Sequence, residues 1–423
     1  MLQIAAIREN KDAYATALKK RNIEALPMLE EAIAIDEQRR SIQAQLDETR
    51  AKSNSLSKEI GMLFKSGKGA EANELKAQTK DLKLKEEELK TTSNEAIEKL
   101  QTLLYNIPNI PQDSVPAGNS DEDNEVVSQH GDIPQLHDDA QPHWELVKKY
   151  DIIDFELGTK ITGAGFPVYK NKGARLQRAL INYFLDKNTA AGYTEMQVPH
   201  LVNEASGYGT GQLPDKEGQM YHVGIDDLYL IPTAEVPITN LYRGDLLEAK
   251  ELPIAMTGYT PCFRREAGSY GSDVRGLNRL HQFDKVEILR IEHPDHSDAA
   301  LDAMVNHVKE ILEELQLPYR ILRLCGGDLG FTSTLTYDFE VYSTAQEKWL
   351  EVSSVSNFKT FQSNRLKLRF RNSEGKTELA HTLNGSSLAL PRILAGILEN
   401  YQTENGIRIP DALVPYCGFD TID

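Results

Sequence analysis

The chain has 423 residues, 40% hydrophobic and 26% charged, the balance of a folded protein with room for two domains rather than of a disordered chain. Its net charge of −17 argues against a surface that holds nucleic acid by bulk attraction, so any such contact must be local. Cys262, Cys325 and Cys417 are far apart and form no C-x-x-C pair, which disfavours a disulfide framework or a thiolate zinc site and fits a reducing cytoplasm. No apolar run nears the roughly 20 residues of a membrane span, and no signal peptide is read at the N-terminus.

From Pro27 to Leu104 aromatics almost vanish and Glu, Lys, Ala, Leu and Gln dominate, with glycine confined to Gly61, Gly67 and Gly69. Ile35, Ile42, Thr49, Leu56 and Leu63 recur every seven residues, with Leu46 and Ile60 at the companion position. Beyond the glycines Leu75, Leu82, Leu89, Ala96 and Leu103 do the same. A seven-residue apolar repeat keeps one stripe facing a partner helix, and the short glycine-containing turn makes that partner the other half of the same chain. The expectation is an antiparallel coiled-coil hairpin over residues 28–104 in an N-terminal domain of residues 1–105. At 1.5 Å per residue, helices of about 36 residues extend roughly 50 Å. Arg39, Ser53, Glu86 and Ser93 interrupt the seam, which predicts modest stability. Basic and acidic residues nearly balance along the arm, so phosphate contact is least opposed there, with Lys52, Lys58, Lys65 and Lys68 as candidates. The periodicity fits a dimerisation device or scaffold equally well. The string GMLFKSGKG at the tip has the wrong spacing for a phosphate loop and no buried strand before it.

Residues 106–150 are rich in proline and acid, and Pro108, Pro111 and Pro116 rule out a regular helix, so this stretch reads as an interdomain connector. The second domain, residues 151–423, opens with a helix over Gly173–Ala190, whose Leu176, Ala179, Leu180, Tyr183 and Phe184 share a face, followed by the short strand YTEMQVP. YLIPTAEV, ELPIAMTGYTPCFRRE, LHQFDKVEILRIE, YRILRL, YDFEVYS and KWLEVSSVS then read as successive strands, with helices at His296–Leu315 and Ser386–Tyr401. The class is α+β with an antiparallel sheet, and no Rossmann G-x-G-x-x-G is present.

The most informative segment is PCFRREAGSYGSDVRGLNRLHQFDKVE. It places Arg264 and Glu266 on one face of a strand, Gly268, Gly271 and Gly276 in a long loop, and Phe283 and Glu287 on the returning strand. An arginine fork holds phosphate, a carboxylate accepts from an amine and a phenyl ring stacks on a base, and a nucleotide needs all three. The same residues also read as a cross-strand ion pair and a core phenylalanine. Further on, Asn384, Gly385, Ser386 and Ser387 are read at a helix start, which attracts anions, with Arg392 within two turns and Pro391 near that start. The EHPDH string at 292–296 reads as a solvated turn rather than a metal site.

In this order, the Gly173 helix with YTEMQVPHLV, FRREAG through HQFDKVE, and NGSSLALPRILAGILENYQ resemble the three signatures of class II aminoacyl-tRNA synthetases. With the arm, and with TGQLP at 210–214, TAEVP at 233–237 and NIPN at 106–109, the whole chain resembles the bacterial-type seryl-tRNA synthetases. The resemblance implies that Thr233, Ala234 and Glu235 line a serine pocket, that Glu287 holds the amino group and that Ser387 lies on the serine side. It implies ATP binding by Arg264, Arg265 and Glu266, with Arg264 on the α-phosphate, Phe283 on adenine, and Arg279 and Arg392 on the distal phosphates. Glu351, Val352, Ser353 and Ser354 would hold nucleotide, and Glu351 and Ser354 would hold Mg2+. Arg264, Arg392 and Glu287 would carry the chemistry. Implied partners are ATP, L-serine, tRNA(Ser) and a second copy of the chain, and the family also allows tRNA(Sec). An adenylating paralogue that loads a carrier protein is the alternative enzyme, but such relatives usually lack the arm. A coiled-coil interaction protein is the non-catalytic alternative, and it predicts losses at Arg264, Glu287 or Arg392, all of which are present.

Overall fold

The computed structural model describes residues 1–266 and 275–423, which form two compact units. One comprises Met1–Lys19 and Ile23–Pro108, the other Lys20–Asn22 and Asn109–Asp423.

The first unit holds α1 (Ile4–Leu18), α2 (Leu26–Lys65) and α3 (Gly69–Tyr105), the last two being 40 and 37 residues long. The heptads form the expected seam: Ile35, Ile42, Leu46 and Thr49 of α2 and Ala96 and Leu100 of α3 are buried. Nearer the turn, Leu56, Ile60, Leu63, Leu75 and Leu82 are only half-buried, so the tip contributes less hydrophobic stabilisation than the base. The seam interruptions find separate solutions. Ser53 and Ser93 are buried, small enough to fit between the helices, and Glu86 accepts from Arg50 of the facing helix at 2.8 Å. Arg39 turns to Asp36, a fully buried carboxylate that also receives Arg8 of α1 at 2.8 Å; a buried charge is tolerated when paired in this way. Gly67, with φ of +75°, supplies the left-handed residue of the turn.

In the second unit, chain order gives β1 (Glu125–His130), α4 (His143–Lys149), α5 (Asn171–Ala190), β2 (Thr194–Glu195), β3 (Ile254–Phe263) and β4 (Gln282–Glu292). After these come α6 (Ser297–Glu314), β5 (Tyr319–Arg323), β6 (Leu335–Ser343), β7 (Lys348–Lys359), β8 (His381–Ala389) and α7 (Leu390–Asn400). The eight strands form one sheet in the order β1-β5-β6-β7-β8-β4-β3-β2, antiparallel throughout except for β2 beside β3. One sheet face packs on the helices: Val286 and Ile288 of β4, Phe339 of β6 and Val355 of β7 share a core with Leu180 of α5, Met304 of α6 and Leu394 of α7. Alternation along β4 therefore turns Phe283, Lys285 and Glu287 to the other face.

Three expectations are corrected. Residues 109–150 are not a free connector but belong to the second unit, where β1 is an edge strand of the main sheet. The prolines forbid helix but not docking, and Asn109 anchors the stretch by donating its amide to Thr332 O and Phe358 O at 2.9 Å each. YLIPTAEV is not one strand: Leu228–Leu230 pairs in a small sheet, and a short helix begins at Glu235 after Pro232. Asn384–Ser387 do not start a helix but lie within β8, and α7 begins at Leu390 with Pro391 in its first turn.

Candidate active site

A cavity of about 660 Å³ opens on the face of the sheet away from the helices. Glu287 is fully buried and is not itself a lining residue; it stands across from Gly258 of β3 and from Ser386 of β8, which does line the cavity. Its Oε2 accepts from Thr233 Oγ1 and from the Glu235 main-chain N–H, both at 2.6 Å, and Lys285 forms an ion pair with its Oε1. Glu235 is 8% exposed, and its Oε1 accepts from Gln362 Nε2 at 2.6 Å. Burial, then the neighbouring Glu287 charge, pushes the Glu235 carboxyl up to about 7. Two carboxyls this close, with hydroxyls beside them, make a pocket suited to a small cation such as an ammonium group.

Arg264 lies just beyond β3, with its guanidinium over the Phe283 ring at 5.2 Å from the centroid and its Nε–H donated to Pro232 O at 3.3 Å. The expectation that Arg264 and Glu266 share a strand face is corrected, because β3 ends at Phe263 and Glu266 has φ of +49°. Both nevertheless line the cavity, and Glu266 pairs with Arg279, another lining residue. Arg265 is not among the lining residues. Its main-chain N–H bonds Gln219 O at 2.8 Å, and its guanidinium turns to the Tyr221 ring. Gly268 and Gly271 lie outside the described residues, and Gly276 takes φ of +66°.

The side of the cavity formed by β7 depends on a bulge. Glu351 pairs with Glu340 and Ser353 with Phe339, so Val352 is an extra residue on this strand. The bulge breaks strict alternation and lets Glu351 and Ser354, three apart, meet: Ser354 Oγ donates to Glu351 Oε1 at 3.4 Å. Ser354 stands opposite Asp338, whose Oδ1 is buried without a hydrogen-bond partner among the described residues. Burial, then the Glu351 charge, holds the Asp338 carboxyl well above its ordinary range. Two carboxylates and a hydroxyl are hard oxygen donors of the kind Mg2+ takes. Arg392, in the first turn of α7, donates Nη1–H to Glu351 O at 2.8 Å and Nε–H to Asn278 O at 3.0 Å. Val352 and Ser353 also line the cavity.

Ser387 is the clearest correction. It is fully buried on the helix-facing side of β8, where its Oγ donates to Asn188 Oδ1 of α5 at 2.8 Å. Ser386, one residue earlier and directly across from Glu287, faces the cavity instead. Reading this segment as helix concealed the period of two that separates the serines. Ala234 is also displaced, being fully buried beside Ile238 in a small apolar cluster rather than lining the cavity. Sequence reasoning missed Lys285, named Asn384 only as part of a helix start, and missed Gln219 and Asp338; all four line the cavity. The first two were legible, lying two residues from Glu287 and Ser386 on the same strand faces. Asp338 carried no local signal, since a bulge in the neighbouring strand creates its setting.

The geometry agrees with the comparisons. Residues 1–111 match the model of the seryl-tRNA synthetase N-terminal domain, and residues 221–401 that of the class II tRNA synthetase core domain (G, H, P, S and T). The chain is 50% identical over 424 residues to the serine–tRNA ligase of Salinibacter ruber, covering 100% of this chain and 99% of the relative. It is 46% identical to that of Chlorobium chlorochromatii, covering 100% of both. Among solved structures, the seryl-tRNA synthetase of Pyrococcus horikoshii complexed with ATP superposes with a TM-score of 0.92 at 32% identity, covering 100% of this chain and 99% of that one. With an antiparallel catalytic sheet, a helical N-terminal hairpin and full-length likeness at this level, the chain belongs to the seryl-tRNA synthetases, the serine–tRNA ligases of class II.

Proposed function

We propose that this cavity joins L-serine to ATP as seryl adenylate and passes the serine to the 3′ end of tRNA(Ser). The observation that carries the reading is one cavity lined by Thr233, Glu235 and Ser386, with the buried Glu287 bonded behind Thr233 and Glu235, and by Arg264 stacked on Phe283. Glu287 and Glu235 hold the serine ammonium, while Thr233 and Ser386 offer hydroxyls to the substrate hydroxyl. Adenine lies on Phe283, and Arg264 meets the α-phosphate. Arg279 and Arg392, each held extended by a carboxylate or a carbonyl of the chain, meet the distal phosphates.

The serine carboxylate is ionised at neutral pH and attacks the α-phosphorus in line, breaking the bond to the β-phosphate and releasing pyrophosphate, so the residues must position and neutralise charge rather than remove a proton. Asp338, Glu351 and Ser354 would hold Mg2+, which supplies further neutralisation of the phosphates when bound. A terminal ribose hydroxyl of tRNA then attacks the acyl carbonyl and AMP leaves. Residues 1–105 serve as the tRNA-binding domain, recognising tRNA by shape and phosphate position along the coiled coil, and residues 151–423 as the catalytic domain. The protein works in the cytoplasm as a homodimer through the α5–β2 segment, a reading supported by β2, whose Thr194 and Glu195 are exposed at the sheet edge. Among the described residues no helix is long and apolar enough to cross a membrane.

Serine-dependent exchange of pyrophosphate into ATP, followed by charging of purified tRNAs, tests this reading. Deleting residues 28–104 is expected to leave exchange largely intact while charging falls. Equal loss of both would contradict the division of labour.

A further inference from the structure

The segment that leads into β4 is gripped from behind by three consecutive residues at the start of α4. Trp144 lies under the Arg275 guanidinium, 4.6 Å from ring centroid to Cζ, and Glu145 accepts from Arg275 at 3.2 Å. His143 does more. Its side chain and that of Glu399, at the end of α7, are fully buried. Its Nδ1 lies 2.7 Å from Glu399 Oε1, and its Nε2 lies 2.8 Å from the main-chain N of Leu277. A main-chain N–H only donates, so Nε2 is the unprotonated acceptor and the ring proton sits on Nδ1, directed at Glu399. Gly276 permits this approach, since a Cβ there would come within 2.3 Å of His143 Nε2.

A second route leads from Glu399 to the neighbouring residue. Gln346 Nε2 donates to Glu399 Oε1 at 2.8 Å, and Gln346 Oε1 accepts from Asn278 Nδ2 at 2.9 Å. Glu399 also accepts from the His143 main-chain N–H at 2.9 Å and from Ser343 Oγ. Both routes thus converge on Leu277 and Asn278, and the Asn278 carbonyl orients Arg392.

We infer that His143 is a positioning residue for the nucleotide half of the site: through Leu277 it sets the carbonyl that aims Arg392 and the backbone from which Arg279 reaches Glu266. The inference rests on the reading of Arg279 and Arg392 as phosphate ligands. Misplacement of a reacting group by about 1 Å, even from a change far from the chemistry, costs on the order of 100-fold in rate, so a buried anchor of this kind has leverage.

Two substitutions separate the bonds of the ring. His143→Asn keeps a donor near the Nδ1 position for Glu399 and removes the acceptor for the Leu277 N–H. His143→Gln keeps an acceptor near the Nε2 position. In serine-dependent pyrophosphate exchange, His143→Asn is expected to raise the KM for ATP by about tenfold, the upper range for one hydrogen bond, with the KM for serine within about twofold of the parent. His143→Gln should retain a near-parental KM for ATP at a similar melting temperature. Gln346→Leu, which cuts the second route, should raise the KM for ATP severalfold and serves if His143→Asn does not fold. The inference is overturned if His143→Asn and Gln346→Leu bind ATP like the parent, or if KM for ATP and for serine rise together in step with lost melting temperature. Failure of the parent protein to exchange pyrophosphate would instead defeat the reading of the site itself.

Discussion

Glu235→Gln is expected to stabilise the protein at neutral and alkaline pH and not near pH 4.5. Burial and the charge of Glu287 raise the Glu235 carboxyl from its ordinary 4.5 to about 7. Between those values the folded protein keeps a proton that the unfolded chain releases, so unfolding free energy falls as pH rises through the window and levels off above it. The span corresponds to about 3 kcal/mol, and Glu235 is too buried for solvent screening to reduce it greatly. Glutamine keeps the oxygen that accepts from Gln362 but does not titrate. Parent and variant should therefore melt alike near pH 4.5 and diverge toward pH 8, by a few degrees in a unit of this size. Melting both proteins in half-unit steps from pH 4.5 to 8.5 makes the measurement. Saturating serine should narrow the gap, because its ammonium favours the ionised carboxyl. A melting difference that does not change with pH would refute the reasoning.

Arg264→Ala should lower adenylate formation by roughly 100- to 1,000-fold, the scale of losing one transition-state donor, with little change in melting. Its 3.3 Å bond to Pro232 O and its stacking on Phe283 contribute little to stability, so a large melting shift with unchanged exchange would assign Arg264 a structural role. Asp338→Asn should raise the melting temperature by removing a carboxyl whose ionisation burial and Glu351 oppose, and raise the Mg2+ concentration for half-maximal exchange by about tenfold. An unchanged Mg2+ titration would remove Asp338 from the metal set. Ser386→Ala should raise the KM for serine with little change in melting. Ser387→Ala should cost about 1 kcal/mol of stability through the lost bond to Asn188 and leave that KM alone. The opposite pattern in kinetics would return the serine contact to Ser387.

The heptads of α2 and α3 were readable because a seven-residue repeat and a glycine turn are local signals, and they predicted the hairpin that forms. Phe283 and Glu287 were readable for the same reason, since a period of two places them on one face of β4. Errors arose where the local pattern was ambiguous. NGSSLALPRILAG carries an apolar run that suits helix or strand, and pairing of β8 with both β4 and β7 decided for strand as far as Ala389. With that choice the two serines exchanged roles. Residues 106–150 have the composition of a connector, yet edge pairing with β5 draws part of them into the sheet.

What the sequence by itself determined is the inventory: a hairpin with one apolar seam, an antiparallel α+β domain, and arginines and carboxylates suited to a nucleotide and an amine. Only the tertiary structure decided which of those groups meet. The bulge at Val352 brings Glu351, Ser354 and Asp338 together, and His143 reaches Leu277 and Glu399 across more than one hundred residues of sequence. Periodicity reports which way one element faces, whereas a site made where strands and helices converge depends on register and packing between distant segments, which no local pattern encodes.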